Sequence, residues 1–428
     1  TTEIYTLSLH DALPILEPAL MEATFLDEQD ELSAYRSQFV SGEEKLIYLD
    51  GNSLGRLPAE SKTILDRTVN LEWGVRLIRS WNEEWYTKNR ELGNKIAGIA
   101  GASEGEVIIT DTTSVNLYKL AHAALKSRKG RMRIVTDELN FPSDLYILQG
   151  LVKDFGEGYE LVVVSSRDGM TIDTGDLKEK IDDNTALVSL SHVAFKSAFR
   201  YSMKEITAIA HEKGAMMLWD LSHSIGAVPG ELNESNADLA VGCTYKYLNG
   251  GPGSPAFLYV RKDLQEKLFS PIWGWFGEKN PFDFALEYRP GEGISRFLAG
   301  TPPILSLKAI EPTLDMLNEA GMQAIRRKSV SQSEYLMKLA KELLWPLGFK
   351  PGSPLDPEKR GSHVSLRHPE AYRICKALID PHVGEAVVIP DFREPDNIRL
   401  GITPLYTTYE EIFTAAGRSG ISLQTGST

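Results

Sequence analysis

Between residues 105 and 260 the chain repeats one pattern: a short apolar run rich in β-branched residues, followed by a stretch of helical periodicity. The runs are Val107–Thr110, Met132–Thr136, Leu161–Ser165, Ala186–Ser191, Ala215–Asp220, Leu239–Cys243 and Ala256–Val260. Continuous apolar runs of this length predict strands buried on both faces rather than half-exposed ones. Val115–Lys126 and Lys204–Lys213 are two of the helical stretches between them. Strand–helix alternation of this kind predicts an α/β fold, a mostly parallel seven-stranded sheet covered by helices. Composition changes near Pro302-Pro303. Residues 305–345 then read as helix, and strand candidates follow at His363–Leu366, Ala386–Ile389 and Ile398–Ile402, predicting a smaller α+β C-terminal domain.

The 428 residues suit one large and one smaller domain. The expected boundaries are 51–305 for the large domain and 306–416 for the small one, with 16–50 joining the small domain. Residues 1–15 read like translated adapter sequence, lack a basic segment ahead of an apolar one, and are expected to be foreign to the fold. Residues 417–428 are polar and unpatterned, and read as a tail, either foreign like the first fifteen residues or merely frayed. A net charge of −13 argues against nucleic acid or an anionic membrane as partner. No run approaches the ~20 apolar residues of a spanning helix. Cys243 and Cys375 lie far apart and match no metal spacing, so neither a disulfide scaffold nor a metal is expected, and a reducing cytoplasm is the simplest compartment.

Open parallel sheets bind ligands beyond the carboxyl ends of their strands. Asp111-Thr112-Thr113-Ser114 follows the first run and opens a helix; hydroxyls and free N–H groups there form an anion site, or simply cap the helix. Phe141-Pro142-Ser143-Asp144 follows the second run, where an aromatic ring could stack on a flat ligand. Ser191 and His192 end the fourth. Asp220 ends the fifth, where a partly desolvated carboxylate calls for a cation such as a protonated pyridine nitrogen, or caps the next helix. Lys246 follows the sixth, between Tyr245 and Tyr247 and before the Gly-rich turn Asn249–Gly253; a desolvated amine there is a nucleophile for an aldehyde. No G-x-G-x-x-G or Walker pattern is present, which disfavours a dinucleotide or ATP. Each feature alone is weak. Together they provide for a phosphate, a ring face, a pyridine nitrogen and an aldehyde.

The Asp220…Lys246 order resembles the fold-type-I pyridoxal-phosphate enzymes, and from about Tyr48 to Thr408 the chain resembles the kynureninases among them. The strings that carry this are YLDGNSLG (48–55), LIRSWN (77–82), TDTTSVNL (110–117), FPSD (141–144), DLSHSIG (220–226), CTYKYLNGGPG (243–253), GWFG (274–277), GTPPIL (300–305) and RLGITPLY (399–406). YLDGNSLG and GWFG are the most family-specific. The resemblance implies pyridoxal 5'-phosphate held by Lys246, with Asp220 against its ring nitrogen and Phe141 on its ring. Thr113, Ser114, Asp144, Ser191 and His223 would line it, and Tyr245 would reach its phosphate. Trp275 and Thr301 would reach the site of a second copy in a homodimer. Arg399 would take the substrate carboxylate, with Asn52, Trp81 and Gly300 also on the substrate side.

The implied reaction is hydrolysis of L-kynurenine to anthranilate and L-alanine, with Tyr245 as general acid, within tryptophan breakdown or NAD biosynthesis. Trp81, Gly300 and Thr301 stand where animal relatives carry more polar residues, implying a bacterial type with 3-hydroxykynurenine as the poorer substrate. The rival readings are a class V aminotransferase, a cysteine desulfurase and a non-catalytic regulator. A desulfurase needs a mobile cysteine, yet Cys243 falls on an expected strand and Cys375 in an expected helix. A regulator would need a basic DNA-binding module, which the acidic chain does not offer.

Overall fold

All seven apolar runs form strands of one sheet: Val107–Ile109, Arg133–Asp137, Glu160–Val164, Thr185–Ser191, Met216–Asp220, Leu239–Gly242 and Phe257–Val260. The structure is a computed structural model describing residues 9–42, 45–381 and 385–424. Numbered along the chain, the sheet order is first, seventh, sixth, fifth, fourth, second, third. The seventh strand alone runs antiparallel to its neighbours, the first and the sixth. The cause is the short Gly-rich return between Gly242 and Phe257, which carries no crossover helix; a parallel connection needs one.

The continuous apolar runs arise because both sheet faces are covered. Met217 and Trp219 enter one core with Val107, Ile109 and Ala240, while Met216 and Leu218 enter the other with Ile108, Leu239 and Val241. Fully burying a side chain such as Leu218 contributes roughly 1.5–3 kcal/mol, so these strands hold the site on a stiff platform. The helix Ile304–Ala320 lays Leu307, Ile310, Leu314 and Leu317 into the first core, against the helix Lys88–Ala100.

A second core gathers Tyr335, Leu339, Val364, Leu366, Ile398 and Leu400 with Ala19, Ala23 and Ile47 from the N-terminal part. It covers a four-stranded antiparallel sheet in the order Asp391–Arg393, Asn397–Leu400, Val364–Arg367, Lys350–Pro351. Leu46–Tyr48 pairs in parallel with Val387–Ile389. The helix Leu9–Glu28 runs through part of the adapter-like segment and packs on the helix Tyr409–Gln424, which continues through residues read as tail. Residues 1–8 lie outside the described residues.

Candidate active site

The strand ends converge on a cavity of about 230 Å³ lined by Thr112, Thr113, Ser114, Phe141, Asp144, Asp220, Ser222, His223, Tyr245, Lys246 and Ser254, among others. Thr112 caps the helix Thr113–Ser127, its hydroxyl accepting from the Val115 N–H at 3.4 Å. The capping reading and the anion-site reading are therefore compatible: one hydroxyl closes the helix, and Thr113 and Ser114 face the cavity beside its free N–H groups.

Phe141 is the N-cap of the helix Pro142–Phe155, where Pro142 takes the first helical position. That turn sets Asp144 on the inner face, buried. Asn140 holds the loop to the sheet, donating to the Ser189 carbonyl at 3.1 Å and accepting from the Ser191 N–H at 2.5 Å.

Asp220 ends the fifth strand and accepts from the Ser222 N–H at 2.8 Å and the Ser222 hydroxyl at 2.6 Å. Burial first, and the charge of Asp220 second, push the Asp144 carboxyl well above the usual carboxylate range. Two buried carboxyls in one cavity are best satisfied by a cation between them, which a protonated pyridine nitrogen supplies.

Lys246 stands opposite. Its Nζ lies 2.8 Å from His223 Nε2, 5.8 Å from the centre of the Phe141 ring and 6.0 Å from that of Tyr245. Burial, then the positive charge of Lys246, holds His223 well below its ordinary pKa, so the imidazole is neutral and accepts from the amine. Tyr245 is pushed up, mainly by burial and then by Cys243, so its phenol keeps its proton. The loop is fixed by backbone bonds: the Gly55 N–H donates to the Tyr245 carbonyl at 2.8 Å and the Asn249 N–H to the Lys246 carbonyl at 2.9 Å. A side chain at Gly55 would run into the Lys246 carbonyl, which is why this segment of YLDGNSLG ends in glycine.

Eight of the residues expected at the cofactor therefore line one cavity: Thr113, Ser114, Phe141, Asp144, Asp220, His223, Tyr245 and Lys246. Ser191 does not line it; it is buried beside the cavity, paired in register with Asp220. Asn52 is fully buried against Gly401, with neither amide atom hydrogen-bonded within the protein. Trp81 is half-buried against Trp85 and Phe276 at 5.6 and 5.9 Å between ring centres. Trp275, Gly300 and Thr301 are exposed.

Arg399 is buried outside the cavity lining, with Nε on Asp391 at 2.6 Å, Nη1 on the Phe195 carbonyl at 2.5 Å and Nη2 on Ser53 at 2.9 Å. Sequence reasoning missed Ser222 and Ser254 at the site; Ser222 carries a signal, a hydroxyl two residues after Asp, the spacing of an Asx turn. It also missed His363, whose ring lies 5.5 Å from that of His223.

The donor set matches pyridoxal phosphate: an amine, two carboxyls, an aromatic face and hydroxyls at a helix start. Residues 66–345 match the family model of class-V aminotransferases, and residues 325–418 that of the kynureninase C-terminal domain. The kynureninase of Pseudomonas fluorescens is 44% identical over 91% of this chain and 92% of its own. That of Burkholderia pseudomallei (strain K96243) is 42% identical over 92% and 93%. Among solved structures, the apo cysteine desulfurase of Thermococcus onnurineus NA1 superposes with a TM-score of 0.76 at 22% identity, covering 89% of this chain and 95% of that one, which speaks for the fold alone. A C-DES mutant with glycine covalently linked to its pyridoxal phosphate superposes at 0.74 with 17% identity, over 90% of this chain and 98% of that one. The extent of these matches and the residues gathered at the strand ends place the chain in the kynureninase family of pyridoxal-phosphate enzymes.

Proposed function

We propose that this chain is a pyridoxal-phosphate-dependent hydrolase that cleaves the Cβ–Cγ bond of L-kynurenine, giving anthranilate and L-alanine, and acts less well on 3-hydroxy-L-kynurenine. The observation that carries this reading is the 2.8 Å contact of Lys246 with a neutral His223, in the cavity that also holds Asp144 and Asp220. When bound, the cofactor supplies an aldehyde for an amine and a conjugated ring that draws electron density from the substrate α-carbon.

The residues divide the remaining work. Asp220, held by Ser222, would pair with the ring nitrogen and favour its protonated form, with Asp144 lining the same cavity. Thr113, Ser114 and Tyr245 would hold the phosphate, with Phe141 on the ring face. Lys246 would take the α-proton, with the neutral His223 orienting its amine. Water adds to the γ-carbonyl carbon, the Cβ–Cγ electron pair goes to Cβ, and Tyr245, a phenol held protonated, would deliver the proton there. Arg399 would take the substrate α-carboxylate bidentately, exchanging Asp391 and the Phe195 carbonyl for it.

The active form would be a homodimer. Exposed Val69, Leu71, Trp73, Val75 and Ile78, together with Trp275, Phe282 and Phe284, support this, since large apolar side chains in such numbers ask for a partner surface. Trp275 and Thr301 would complete the second copy's site. The buried free thiols Cys243 and Cys375 suit a reducing cytoplasm. Burial raises both thiols, that of Cys375 up to about 12, which leaves neither suited to desulfurase chemistry. No helix among the described residues is long and apolar enough to cross a membrane.

Product analysis tests the reading. Anthranilate and alanine in equal amounts from kynurenine alone would support it; turnover that requires an added 2-oxo acid would favour transamination.

A further inference from the structure

Lys119 is a fully buried cation in the helix Thr113–Ser127. Its Nζ donates to Asp111 Oδ2 at 2.6 Å and to the Phe297 carbonyl at 2.7 Å. Asp111 immediately precedes Thr112, the helix cap, and adopts a left-handed φ of 48°. The Thr110 hydroxyl donates to the same carboxylate oxygen at 2.9 Å, and the Asp111 carbonyl accepts from the Ala256 N–H at 2.8 Å. The turn that presents Thr112, Thr113 and Ser114 to the cavity is therefore clamped from three sides. Lys119 joins it to Phe297, four residues ahead of the exposed Thr301.

Packing alone does not explain this arrangement. A buried ion pair is seldom more stable than apolar side chains of similar volume. An anionic Asp111 beside a helix start also opposes what a helix start does best, which is to receive an anion. Lys119 cancels that charge from behind and leaves the N–H groups and hydroxyls as the dominant field.

We propose that Lys119 is a positioning residue for the phosphate end of the cofactor: it neutralises Asp111 and fixes the Thr112–Ser114 turn, giving the site its preference for a phosphorylated over an unphosphorylated pyridoxal. This rests on the reading of Thr113 and Ser114 as the phosphate site. The residue touches no reacting atom; it acts through Asp111 and the helix start.

The experiment titrates apo-protein with pyridoxal phosphate and, separately, with pyridoxal, following the absorbance of lysine-bound cofactor. Lys119→Met is expected to weaken pyridoxal phosphate about 10- to 100-fold, the scale of one unit charge acting over ~6–10 Å at an effective dielectric near 20. Pyridoxal affinity should stay within about twofold. The double variant Asp111→Asn/Lys119→Met leaves no uncompensated charge and should recover a preference within about threefold of the wild type. Equal loss of both ligands in Lys119→Met, or no loss of either, would overturn the proposal by reducing Lys119 to a packing residue. Where the single variant does not fold, the double variant decides: a preference lowered more than tenfold would overturn the charge-cancelling role. A wild-type protein that binds neither compound, or binds both equally, would instead overturn the phosphate-site reading on which the proposal rests.

Discussion

Lys246 Nζ and His223 Nε2 lie 2.8 Å apart, an amine against an imidazole that burial holds neutral, at the ends of adjacent strands. The imidazole accepts from the amine and orients it. His223→Ala removes that acceptor, and a lost hydrogen bond to a charged group costs ~1.5–3 kcal/mol. Turnover should fall about 10- to 100-fold while cofactor absorbance remains. Steady-state rates and absorbance spectra on one preparation check this; unchanged turnover would remove His223 from the lysine's chemistry.

Asp220 and Asp144 share one buried cavity, and burial with the charge of Asp220 raises the Asp144 carboxyl. In Asp220→Ala the ring nitrogen would lose its main counter-charge. Removing one partner of a buried pair costs about 3–5 kcal/mol, so kcat/KM should drop by at least ~100-fold. Asp144→Asn should cost less, because Asp144 is the member that burial favours in its protonated form. Comparing kcat/KM for the two variants tests the division of roles.

Arg399 is buried and engaged by Asp391, the Phe195 carbonyl and Ser53, so a substrate carboxylate must displace existing partners. Arg399→Lys keeps a charge and loses the fork. KM for kynurenine should rise about 10-fold or more, with cofactor binding within twofold of the wild type. A cofactor titration beside a KM measurement separates these effects; loss of cofactor with unchanged KM would move Arg399 out of the substrate role.

His192 is buried, and desolvation first, then Arg200 and Arg326, lowers its pKa to about 3. A group whose folded pKa is depressed below its unfolded value of about 6.5 contributes stability that is complete above that value. That contribution is lost as pH falls from about 6.5 toward 3. The loss of stability between pH 7 and 5 should therefore be shallower in His192→Asn than in the wild type. Urea denaturation at both pH values measures it; equal slopes would mean that His192 is not held neutral.

The large sheet was legible because each strand is covered on both faces and so reads as an unbroken apolar run, as at Met216–Asp220. Leu46–Tyr48 and Asp391–Arg393 were not, because three residues carry no periodicity, and the partner of Leu46–Tyr48, Val387–Ile389, lies far along the chain. The cavity residues were legible wherever they end a strand. Ser254 and His363 were not: Ser254 is placed by a hydroxyl contact with Thr244 at 2.6 Å, and His363 meets His223 ring to ring from a distant segment of the chain. The partners of Arg399 were hidden for the same reason, since Ser53 and Phe195 come to it from distant segments.

Reductive trapping tests the central claim most directly. Borohydride treatment of the cofactor-loaded protein, followed by peptide mass mapping, should place the pyridoxyl group on Lys246, and Lys246→Ala should show neither the label nor the cofactor absorbance. A label on another lysine, or a Lys246→Ala protein that keeps the spectrum and hydrolyses kynurenine, would contradict the account.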